Sequence, residues 1–158
     1  MTTPPLFTAS TSVDVRPAQA RTWFMSLADH PERYQFDTHH GFAFTQGDFG
    51  EPGARFRTEE RFHGVRLTLK FELTEIGDTD FTFVLREPLP DVWGRFSLAP
   101  RLDGTTDLRL EIGSDRSLAR RVLGLPLVRG AVQAQITSEV SHIKASMESI
   151  YQEETWAS

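Results

Sequence analysis

At 158 residues, 39% hydrophobic and 25% charged, the chain has the makeup of one globular domain, 1–158, that can bury a core without cross-links. It contains no cysteine, which excludes thiol catalysis, disulfides and thiolate metal sites. A formal charge of −5 argues against general attraction to nucleic acid or anionic lipid.

The N-terminus lacks the basic and apolar regions of a secretory signal, and no apolar run reaches the length of a membrane span. The expectation is a soluble cytoplasmic protein with no stable membrane insertion. Residues 7–15 alternate, with Phe7, Ala9, Val13 and Val15 on one face of a strand. Pro17 then suits the first position of a helix, where its missing N–H costs nothing, and Ala20, Trp23, Phe24 and Leu27 follow at helical spacing. Asp29, before Pro31, reads as the N-cap of a second short helix ending near Tyr34.

From Gly41 to Gly113 the period becomes two. A tight turn at His63-Gly64 pairs Phe62 with Val65, Glu60 with Leu67, Thr58 with Leu69 and Phe56 with Phe71. That single register sorts the apolar side chains of both strands onto one face and the charged ones onto the other. A turn at 77–79 sets Leu73 against Phe83 and Phe71 against Leu85. Another at 103–105 sets Leu98 against Leu110 and Phe96 against Ile112. Between them, pairing Leu85 with Trp93 requires an extra residue, placed as a bulge near Gly94. The count is about seven strands.

The last third is helical. Leu125, Val128, Val132, Ile136, Val140, Ile143, Met147 and Ile150 recur every three or four residues, forming one stripe on a main helix over about 126–152. A shorter segment, 116–123, precedes it, and Gly130, Ala131 and Ala134 keep the helix slim where it approaches another element. A helix this long needs an apolar partner, and the sheet face supplies one. The fold class is therefore α+β: a curved antiparallel sheet wrapped on a long C-terminal helix, with two short helices after the first strand. Twelve phenylalanines, most on the inner face, either fill a solid core or line a cavity.

Val13-Asp-Val-Arg-Pro-Ala-Gln-Ala-Arg-Thr-Trp-Phe followed by Asp29-His-Pro-Glu-Arg-Tyr resembles the opening of START-like (SRPBCC) helix-grip proteins, which include polyketide cyclase/dehydrase-like, Bet v 1-like and lipid-transfer families. Gly53-Ala-Arg-Phe, Gly94-Arg-Phe-Ser-Leu-Ala-Pro with Asp103-Gly-Thr-Thr, and Ile143-Lys-Ala-Ser-Met-Glu extend the resemblance over nearly the whole chain. It implies a deep cavity between sheet and C-terminal helix that binds a hydrophobic small molecule or lipid.

Candidate ligand-binding residues are Thr58, Phe62, Leu69, Phe71, Phe83, Trp93, Phe96, Ile136 and Ile143. Glu60 shares the inward face with Thr58 and Phe62, so its carboxyl is either a desolvated acid–base group, or lies near the cavity mouth or pairs with an arginine. Glu139 falls within the helical stripe, directed at the same ligand or else on a flank, solvated or salt-bridged. Tyr34, Trp23 and Trp93 offer polar tips, though core packing explains them equally. His39, His40, His63 and His142 show no i, i+4 pair and no HExxH, so neither a metal nor another cofactor is expected. Three functions remain open: a binding or transfer protein, a cyclase/dehydratase-type enzyme, and an interaction module that takes a partner helix or forms a homodimer.

Overall fold

The computed structural model describes residues 3–36, 39–62 and 64–157. Alternation along the middle of the chain produces a single antiparallel sheet of seven strands: β1 (Phe7–Val13), β2 (His39–Gln46), β3 (Arg55–Phe62), β4 (Val65–Ile76), β5 (Asp80–Glu87), β6 (Val92–Pro100) and β7 (Thr106–Ser114). Their spatial order is β1-β7-β6-β5-β4-β3-β2, so consecutive strands from β2 to β7 are neighbours and β1 closes the far edge. Helix α1 (Pro17–Met25) and two short 3-10 turns, Ser26–Ala28 and Pro31–Tyr34, link β1 to β2. Helices α2 (Ser117–Leu123) and α3 (Pro126–Ala157) follow β7.

The β3–β4 register is Phe62–Val65, Glu60–Leu67, Thr58–Leu69 and Phe56–Phe71, as the sequence pattern requires, with Gly64 at φ +79° in the turn. His63 lies outside the described residues. The β4–β5 pairs Leu73–Phe83 and Phe71–Leu85 also form as expected. Two ladders differ. Leu85 pairs with Val92 and Phe83 with Gly94 in an uninterrupted β5–β6 register, so the bulge expected near Gly94 is absent. In β6–β7, Leu98 meets Leu108 and Phe96 meets Leu110, two residues from the expected register, which leaves every side chain on its face.

At the other end of the chain order, Pro31 rather than Asp29 sets the start of the second turn. His30 takes the capping position and Asp29 ends the turn before it.

Helix α3 buries Ile136, Val140, Ile143 and Met147 against the sheet, each at most 4% exposed. Its flank is tied to β1: Lys144 Nζ donates to Ser12 O at 2.7 Å, Gln133 Nε2 to Thr8 O at 3.2 Å, and Asp14 N to Glu148 Oε2 at 2.9 Å. Trp23 of α1 donates its indole N–H to Ser146 Oγ at 2.9 Å, so α1 and the middle of α3 close one end of the interior. The stripe fails at its first member, since Leu125 is exposed. Gly130 likewise faces open space and supports no close approach.

Candidate functional site

Where α1 packs beneath α3 the interior is solid. Toward the N-terminal part of α3 it opens into a cavity of about 390 Å³ between that helix and the concave face of the sheet. The volume lies within the usual range for small-molecule sites. Thr58, Leu69, Phe71, Phe83, Phe96 and Ile136 line it, together with Glu60 and Glu139.

Of the three other candidate positions, two do not join that lining, and the side chain of the third, Phe62, lies outside the described residues. Ile143 is fully buried but sits two turns beyond Ile136, in the region closed by α1. Trp93 is a correction of face. With Leu85 opposite Val92, Trp93 falls opposite Val84 on the convex side of the sheet. There its ring covers Gly113, and the Arg95 guanidinium stands 5.5 Å from the ring centre. A Cβ at position 113 would meet the indole at 2.5 Å. Gly113→Ala is therefore expected to destabilise the fold by about 1–3 kcal/mol through overpacking, read by thermal unfolding; an unchanged midpoint would mean the indole lies elsewhere.

The polar end of the cavity is built from four elements. Thr58 and Glu60 come from β3, where alternation points both inward. Gln135 and Glu139 are one turn apart on α3. His39 comes from β2, and Tyr34 from the 3-10 turn before it. Thr58 Oγ1 donates to Glu60 Oε2 at 2.9 Å and Gln135 Nε2 donates to Glu60 Oε1 at 3.1 Å. The Tyr34 hydroxyl donates to Glu139 Oε2 at 3.1 Å, and His39 Nε2 lies 3.7 Å from Glu139 Oε1. His39 Nδ1 is 2.7 Å from the Tyr34 carbonyl oxygen, which can only accept, so the ring proton is assigned to Nδ1.

No lysine or arginine lines the cavity among the described residues. Burial, then the adjacent Glu60, push the Glu139 carboxyl well above its ordinary range, against the opposing pull of the hydrogen bonds from Tyr34 and Gln135. Burial likewise raises Tyr34 well above its ordinary range, with Glu139 and Glu60 adding to the effect. For His39, burial outweighs the attraction of Glu60 and holds the imidazole below its ordinary value. Both His39 and Glu139 are thus shifted toward their uncharged forms, which weakens any ion pair between them.

His39, Glu60 and Glu139 bring potential ligand atoms within 4.8 Å of one another. One nitrogen and two oxygens at that spacing could converge on a divalent ion. The trio comes from three separate elements, which a search for helical histidine spacing does not detect. The shift of Glu139 toward its protonated form lessens the charge that such an ion would otherwise offset.

The sequence pattern does not single out His39 and Gln135 as cavity residues. Gly41, at φ +58°, interrupts β2, and the ladder shifts between His40 and Ala43. His39 and Phe42 therefore both turn inward although they are three residues apart. Simple alternation gives no sign of it.

A seven-stranded antiparallel sheet gripping one long C-terminal helix, with short helices after the first strand, decides the architecture. This is the helix-grip fold. Among solved structures, the helix-grip chain is similar to TTHA0849 from Thermus thermophilus, with a TM-score of 0.67, 15% identity, and coverage of 91% of this chain and 97% of that one. It is also similar to Ara h 8.0201, at a TM-score of 0.63, 17% identity, and coverage of 90% and 97%. A third is the di-domain ARO/CYC BexL from the BE-7585A biosynthetic pathway, at 0.62 and 17% identity, covering 90% of this chain and 49% of that one. No family model matches the sequence, and no curated protein sequence matches it. At these identities the likeness is one of fold.

Proposed function

We propose that this helix-grip protein binds an apolar small molecule that carries one hydrogen-bonding group. The observation that supports the reading is the cavity itself: about 390 Å³ with walls of phenylalanine, leucine, isoleucine and valine, and a polar cluster at one end. The walls select an apolar body, while Tyr34, His39, Gln135 and the two glutamates offer partners to its polar end. Titration of delipidated protein with an apolar fluorophore should show saturable emission enhancement, reversed by an apolar competitor. Failure of a series of such probes to bind removes the reading.

A second reading, a cyclase/dehydratase-type enzyme acting on a polyketide-like or other apolar substrate, is favoured by the carboxyl pair. Glu139, whose surroundings favour its protonated form, would deliver a proton to a departing hydroxyl. Glu60 would take the proton from the carbon next to a carbonyl, so that a double bond forms and water leaves. Glu60→Gln should then abolish turnover of a hydroxy-ketone substrate while dye uptake persists. Turnover by that variant at the original rate would exclude Glu60 from the chemistry.

A further inference from the structure

Strand direction determines which loops share an end of the sheet. The β3–β4 turn, the β5–β6 connection, the exit of β7 into α2 and the first turn of α3 lie together, while the 77–79 and 101–105 turns lie at the opposite end. The first of these ends is the mouth of the cavity, since Leu67, Leu89 and Leu127 all line it.

Large exposed apolar side chains concentrate there. Leu118, Leu125 and Leu127 are 68%, 54% and 77% exposed, and Val65 and Leu67 at the hairpin tip are 59% and 36%. Leu102, at the far end, is the other such residue among those described. Because Leu67 and Leu127 also line the interior, this apolar surface continues inward without a polar break.

Beyond Glu87, Asp91 and Asp115, which lie at the same end, the helical side of the mouth is basic in an otherwise acidic chain. Residues 116–138 contain Arg116, Arg120, Arg121 and Arg129 and no aspartate or glutamate, in a chain of net charge −5. Arg116 pairs with Asp91 at 3.2 Å, and Arg120 donates to Ser114 O at 3.1 Å. Arg121 and Arg129 are exposed and form no ion pair among the described residues. Across the mouth, Arg61 and Arg66 stand opposite each other near the hairpin tip, both exposed. Like charges directly across a ladder destabilise it, and a bound anionic surface relieves that cost.

We propose that this end docks on an anionic lipid bilayer, with the exposed leucines at the interface and the arginines among the headgroups. The rest of the acidic molecule is repelled by the same surface, so docking orients the mouth toward the acyl region. The inference deepens the binding function by naming the source from which an apolar ligand enters, and it rests on that function only for the entry step. Docking is measured without any ligand.

The test is co-sedimentation with vesicles of phosphatidylcholine alone and of phosphatidylcholine mixed with phosphatidylglycerol. The protein should pellet with the mixed vesicles, remain free of the neutral ones and be released by added salt. Arg121→Glu with Arg129→Glu should lower partitioning by about fivefold or more for each arginine. Leu118→Ser with Leu125→Ser, both outside the cavity lining, should lower it as well, and Leu102→Ser should leave it unchanged. Circular dichroism and apolar dye uptake on the same variants separate lost docking from lost fold or lost cavity. No binding to anionic vesicles, equal binding to neutral ones, or full binding by the arginine variant would overturn the proposal.

Discussion

Replacing Ala131 by tryptophan is expected to weaken apolar ligand binding by about a hundredfold or more, at 1.4 kcal/mol for each decade of affinity. Ala131 lies on α3 one turn after Leu127 and one turn before Gln135, and all three line the cavity. The small side chain leaves open the space that an indole would fill. Because the new ring enters a void rather than a packed layer, it should bury apolar surface without displacing its neighbours. Helix propensity changes by only a few tenths of a kcal/mol, so the fold should survive. Ala134→Trp is the matched control: it adds the same ring to the same helix at an exposed position away from the cavity. Wild-type affinity in the Ala131 variant would show that the ligand occupies a different place. Reduced affinity in both variants would point to a general disturbance of α3.

Much of this site is legible in the sequence because two independent signals agree. In the β3–β4 hairpin, turn length and alternation select the same register, which places Thr58 and Glu60 inward. On α3, a period near 3.6 places Glu139 beside Ile136 and Val140. The two carboxyls thereby point into one interior from opposite layers, and the structure joins them through a common network with Gln135 and Tyr34.

Legibility fails where alternation has no external reference. The connection 88–91 does not fix the phase of β6, so the pattern alone sets Trp93 against Leu85 and turns it toward the cavity. Gly94 suggests a bulge. It instead accommodates the Phe83 ring, which would lie 2.2 Å from a Cβ at that position. His39 escapes for the opposite reason, because β2 contains a real irregularity at Gly41 that regular alternation does not anticipate. Tyr34 is named for its polar tip, but it lies in a 3-10 turn too short to present a periodic face, so the pattern does not separate it from core packing. Net charge conceals the arginines at the mouth, since a sum over the chain says nothing of where charges sit.

Glu139→Gln should raise thermal stability at neutral and alkaline pH, with the gain disappearing in acid. In the unfolded chain Glu139 loses its proton around its ordinary value of 4.5, whereas burial and Glu60 preserve the proton in the folded state well above that. Below 4.5 both states carry the proton and the group leaves stability unchanged. As pH rises from 4.5 toward the folded value, the unfolded state alone sheds the proton, and folding becomes progressively less favourable. Glutamine removes this penalty while preserving an oxygen for Tyr34 and an N–H donor for Glu60. Among the described residues no buried cation offsets the effect, since the titratable groups facing Glu139 are Glu60 from β3, His39 from β2 and Tyr34 from the preceding turn. His39 contributes with the opposite slope. Its folded-state value is depressed, so stability falls as pH drops below its ordinary 6.5, where only the unfolded chain takes up the proton. Melting temperatures of the wild type and Glu139→Gln, measured from about pH 4 to 8 in a chelating buffer, should converge in acid and separate above about 4.5. A constant offset across that range would show that glutamine acts through packing. A gap that widens toward acid would reverse the sign and place the retained proton elsewhere in the network.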